Sequence, residues 1–98
     1  MNPKIQDEHT DQLMKAILTL KTAEECYNFF EDLCTVSELI GMSRRLYAAR
    51  LLKNNENYTE ICQKSGLSSA TVSRVSRALK YGTDGYNTIL ERLENEKA

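Results

Sequence analysis

Residues 60–82 read EICQKSGLSSATVSRVSRALKYG, and their spacing decides the fold. A hydroxyl or an arginine stands at nearly every other position, yet Val72, Val75 and Leu79 keep the three- and four-residue spacing of a buried helix face. A helix-turn-helix satisfies both patterns. Its first helix buries Ile61 and keeps the small Cys62 where the second helix crosses; Gly66 turns the corner at a positive φ that disfavours a side chain. Leu67 plugs the turn and Ser68 caps the second helix. Ser65 departs from this pattern, which usually has an apolar residue there.

Working outward, capping-box spacings recur at Thr22 with Glu25, Thr35 with Glu38 and, more loosely, Asn57 with Glu60. Apolar stripes follow them: Leu13, Met14, Ile17 and Leu18; Cys26, Phe29, Phe30 and Leu33; Val36, Leu39, Ile40, Tyr47 and Leu51; Tyr86, Ile89, Leu90 and Leu93. No sustained strand-like alternation and no internal repeat interrupts them. The spacing predicts an all-α chain with helices at 6–20, 23–34, 36–54, 58–65, 69–81 and 85–95. With 98 residues it reads as a single domain, 1–98, divided into dimerisation helices (1–56), the helix-turn-helix (57–82) and a C-terminal helix (83–98). The apolar side chains before Thr35 exceed what a two-helix arm can cover, so a second copy of the chain is the expected partner.

The composition, 41% hydrophobic and 28% charged, is that of an ordinary soluble helical domain. No apolar run approaches the roughly 20 residues of a membrane span, and the N-terminus is too polar for a secretory signal. The expected compartment is the cytoplasm, without membrane association. Cys26, Cys34 and Cys62 lack paired metal-site spacing and His9 stands alone, so free thiols and no metal are expected. Without a Cys–His or paired-carboxylate arrangement, an enzyme is not expected either.

The formal net charge of −1 conceals a block from Arg44 to Lys80 with eight basic and two acidic residues. That block is net +6, between segments of −5 and −2. Such a distribution points to a localised polyanion-binding face. With Val72, Val75 and Leu79 inward, Ser69, Ser73 and Arg77 form an outer row beside Ala70 and Arg74. Small and hydroxyl-bearing residues at a helix tip, here Ser68, Ser69, Ala70, Thr71 and Ser73, approach base edges and bond phosphate oxygens. Arg74, Arg77 and Lys80 suit phosphates or a guanine edge, and Thr59 and Lys64 can clamp the backbone from the preceding helix. The expected function is therefore sequence-specific binding of double-stranded DNA by a transcriptional regulator. The alternative is a helical module that binds protein or RNA and uses the helix-turn-helix as scaffold.

Leu51-Leu52, Thr59-Glu60-Ile61, Gly66, Ala70 to Arg74 and Ala78-Leu79-Lys80, preceded by SELIGMSRRLYAARLL, resemble the tryptophan repressor superfamily. The whole chain looks most like its small YerC/YecD-type branch. That resemblance implies a six-helix fold, an intertwined homodimer with two reading heads and a repressor that reads a near-palindromic operator. It also implies a ligand pocket at Arg44, Arg74, Val75 and Ala78. Arg44 and Arg74 fall at the two arginine positions that bind the corepressor's carboxylate. Val75, however, stands where the tryptophan repressor has glycine against the indole, and Ala78 where it has a serine. Because extra methyl groups cost about 1–3 kcal/mol in a packed pocket, tryptophan is not the expected ligand, and no cofactor is expected. The effector, if one exists, is left open.

Overall fold

The computed structural model describes residues 2–97. The described residues form six helices and no strand: α1 Glu8–Leu18, α2 Ala23–Leu33, α3 Val36–Lys53, α4 Tyr58–Ser65, α5 Ser69–Tyr81 and α6 Gly85–Lys97. All six expected helices are present. The first is shorter than the expected 6–20 because Asp7 caps it, accepting from the Thr10 N–H at 2.7 Å, and Thr19 closes it by donating to the Ala16 carbonyl at 2.7 Å.

The caps read from the sequence form as hydrogen bonds. Thr35 and Glu38 make a reciprocal box: the Glu38 N–H donates to Thr35 Oγ1 at 3.1 Å, and the Glu38 carboxylate accepts from the Thr35 N–H at 2.9 Å. That backbone donor holds the Glu38 carboxyl below its ordinary pKa. Thr22 accepts from the Glu25 N–H at 3.1 Å, but Glu25 reaches back to the Lys21 N–H rather than to the cap. Asn57 accepts from the Glu60 N–H at 2.9 Å.

The helices group into two compact units, one ending at Leu39 and the other beginning at Ile40, so the division falls inside α3. In the first unit neither α1 nor α2 has a buried residue. Phe29 and Phe30 meet edge-on with centroids 5.5 Å apart, while Leu18 (83% exposed), Val36 (75%) and Tyr27 (71%) face outward. Most of this apolar surface is left uncovered within the chain.

The second unit holds the core, in which Ala48, Leu51, Ile61 and Val72 cluster with Leu52, Cys62 and Leu67 packed against them. Ile61 and Val72 are fully enclosed, and burial of such side chains contributes roughly 1.5–3 kcal/mol each. Ala48 and Ala49 are also completely buried. Ala48 packs in one cluster with Ile61 and Val72 of the helix-turn-helix. Gly66 takes φ +73°, as its corner requires, and its N–H donates to the Cys62 carbonyl at 2.9 Å.

Ser65 is buried although polar, and its bonding explains the departure. Its hydroxyl donates to the Ile61 carbonyl at 2.6 Å and accepts from the Leu67 N–H at 3.2 Å. The serine thus satisfies the turn's own backbone, so it occupies an interior position without an orphaned group.

Candidate nucleic-acid interface

Beyond the Gly66 corner, Ser68 caps α5 by accepting from the Thr71 N–H at 3.2 Å, and its hydroxyl donates to Thr71 Oγ1 at 3.0 Å. The Thr71 hydroxyl therefore keeps its own proton for another acceptor. Val72 and Val75 turn inward, while Ser69, Ala70, Ser73, Arg74 and Arg77 are all exposed and Thr71 is half-buried. The outer row expected from the sequence is thus an open helix surface. Tyr81, one helical turn beyond Arg77, extends it and is also exposed. The four-residue spacing from Arg77 was the signal that would have included Tyr81.

Thr59 and Lys64 are exposed on α4. The Lys64 ammonium is hydrogen-bonded to the Glu56 carboxylate, which raises the lysine's pKa above its ordinary value. A phosphate reached by Lys64 must therefore compete with Glu56. Lys80 is exposed as well, but it lines a hollow of its own behind the outer row.

Two hollows flank the buried stripe of α5. One, of about 310 Å³, is lined by Arg45, Thr71, Arg74, Val75, Ala78 and Tyr86. Arg74, Val75 and Ala78 come together there as the sequence implied, but Arg44 does not join them. Its guanidinium lies instead at the turn, with Nη1 3.3 Å from where a Cβ on Gly66 would stand. Arg45 takes its place. Val75, only 3% exposed, forms part of the wall, and an open hollow remains beside it. Tyr86 had no sequence signal apart from its place in an apolar stripe.

The other hollow, about 600 Å³, includes Lys53, Asn55, Ser76, Lys80 and Asn87 among its lining residues. Asn87 ties α6 to the end of α5 by donating to the Leu79 carbonyl at 3.1 Å and to the Asp84 carboxylate at 3.2 Å. Among the described residues no three His, Cys, Asp or Glu side chains gather as metal ligands, and no helix is long and apolar enough to cross a membrane.

An exposed, basic second helix beyond a glycine corner defines a helix-turn-helix protein of the all-α, Trp-repressor-like fold. The chain belongs to the Trp repressor protein family, whose profile matches residues 8–94. It is 45% identical over 91 residues to YerC of Bacillus subtilis (strain 168), an uncharacterised protein, covering 93% of this chain and 88% of that one. A crystal structure of a TrpR-like protein from Eubacterium eligens ATCC 27750 superposes with a TM-score of 0.91 at 45% identity, covering 95% of this chain and 96% of that one. A Trp-repressor-like protein from Staphylococcus aureus gives 0.89 at 48% identity, covering 93% and 91%. The family is one of DNA-binding regulators and not of enzymes.

Proposed function

We propose that the chain is a transcriptional repressor that reads a near-palindromic operator as a homodimer, with α5 entering the major groove. The observation that carries this reading is the open outer face of α5, where Ser69, Ala70, Ser73, Arg74 and Arg77 stand free beyond the Gly66 corner. Small groups at the tip allow close approach to base edges, and the two arginines further along meet phosphates or a guanine. The uncovered apolar side chains of α1, α2 and the start of α3 support a second copy as the dimer partner. Two-fold symmetry then places the recognition helices about 34 Å apart, one turn of duplex. Acting on DNA, the protein would work in the cytoplasm.

Selection of bound duplexes from a random pool tests the reading, with an inverted-repeat motif as the expected result. Arg74→Ala should weaken binding to the selected duplex by about 1–3 kcal/mol if it contacts a base, and Thr71→Ala should also weaken it. Recovery of no motif at any salt concentration, with both variants otherwise active, would favour a protein- or RNA-binding module. Sedimentation as a monomer at tens of micromolar would remove the dimer.

Tryptophan is not the proposed effector. Val75 and Ala78 stand in the wall of the hollow beside Arg74, and Arg44 lies at the turn instead of lining it. Calorimetry should register no tight tryptophan binding, and a tight isotherm would refute this part.

A further inference from the structure

We infer that the larger hollow, between the end of α3 and the α5–α6 corner, is a binding site for a sugar phosphate. Ser76 carries the argument. It is 6% exposed, its hydroxyl takes part in none of the side-chain hydrogen bonds among the described residues, and it lines this hollow. No fully enclosed side-chain polar atom lacks a partner among those residues, so this hydroxyl keeps a little exposure on a residue that borders the cavity. A buried hydroxyl in that position is a ready partner for a ligand.

The surrounding groups specify the ligand's chemistry. Lys53, the last residue of α3, and Lys80 on α5 both line the same hollow and bring two cationic side chains to its edge. Glu56 also lines it and would repel an anion, but its carboxylate is engaged by Lys64. The remaining positive charge suits a phosphate, with the Ser76 hydroxyl as a further donor. Asn87 has committed its side-chain N–H groups to Leu79 and Asp84, so it offers the cavity its carbonyl oxygen. That acceptor suits a ligand hydroxyl. A phosphate joined to a polyol meets both demands. The hollow lies on the opposite shoulder of α5 from the one lined by Arg74 and Val75, because Ser76 is 100° around the helix from Val75.

Backbone amide shifts of the full chain, titrated with ribose 5-phosphate in the absence of DNA, test the site independently of the DNA reading. Saturable shifts are expected at Asn55, Ser76 and Lys80, with no response to ribose and a weaker one to inorganic phosphate. Lys53→Gln, at an exposed position, and Ser76→Ala should each weaken binding roughly tenfold. Lys53→Gln keeps the test valid even where Ser76→Ala disturbs folding. The proposal fails if no saturation occurs by concentrations on the order of 10 mM, if shifts are confined to Arg74 and Arg77, or if Lys53→Gln binds as the unaltered chain does. It fails equally if a duplex shifts the same three amides and displaces the sugar phosphate while Lys53→Gln weakens the duplex alone, since the occupant is then a backbone phosphate.

Discussion

Gly66→Ala isolates the conformational demand of the turn from its packing. Gly66 sits at φ +73°, where an L-residue pays about 1–2 kcal/mol. A Cβ there would meet Arg44 Nη1 at 3.3 Å, but that atom ends a long, flexible side chain and can withdraw. Loss of glycine also reduces unfolded-state entropy, which returns about 0.4–1 kcal/mol. The net destabilisation is therefore about 1 kcal/mol, or a fall in Tm of about 4–8 °C for a domain of this size. Thermal and urea melts followed by circular dichroism at one fixed protein concentration would measure it, since association makes Tm concentration-dependent. The decisive control is a double-mutant cycle with Arg44→Ala. A conformational cost predicts coupling within about 0.5 kcal/mol of zero, whereas a steric cost predicts rescue. Full rescue by Arg44→Ala, or an unchanged melt for Gly66→Ala, would refute the reasoning.

The other expectations concern the same scaffold. Ser65→Ala should destabilise by about 1–3 kcal/mol despite making the site apolar, because the Leu67 N–H loses its acceptor; a variant more stable than the parent in urea melts would contradict that. Gly82→Ala should unwind the last turn of α5, since its Cβ would stand 2.4 Å from the Ala78 carbonyl oxygen, whereas Gly85→Ala meets nothing within 4 Å. Opposite Tm shifts are expected for the two, with Gly85→Ala raising it, and matching shifts would contradict the geometry. Glu38 and Asp7 both have carboxyl pKa values below their ordinary 4.5 and 3.8, held there first by the N–H groups of Thr35 and Thr10. Their contributions are present above those ordinary values and are lost as pH falls through the lowered ones. Carboxyl carbon titration by NMR should place both midpoints low, and Glu38→Gln should flatten part of the acid loss of stability.

Much of the fold was legible because its signals are local. A cap and its acceptor lie three residues apart, a glycine corner is one residue, and the stripe of α5 repeats within a single turn. The pairs that sequence reasoning missed are set by tertiary placement. Glu56 reaches from the α3–α4 connection to Lys64 near the end of α4, and Asn87 reaches back from α6 to Leu79. Ala48 and Ala49 carry little hydrophobic signal, yet both are completely buried, Ala48 within the cluster that Ile61 and Val72 complete. Arg44 and Arg45 are adjacent in sequence but 100° apart on α3, so one reaches the turn and the other the hollow beside Arg74. The same rotation governs α5. Val72 and Val75 fix its inner side, and Ser73, Arg74 and Arg77 then have to face outward. The shoulders between those two faces acquire their chemistry from α3 and α6: Arg45 and Tyr86 on one, Lys53 and Asn87 on the other. A helix wheel can therefore identify the exposed outer side of α5, but the hollows on its shoulders exist only once neighbouring helices supply their other walls.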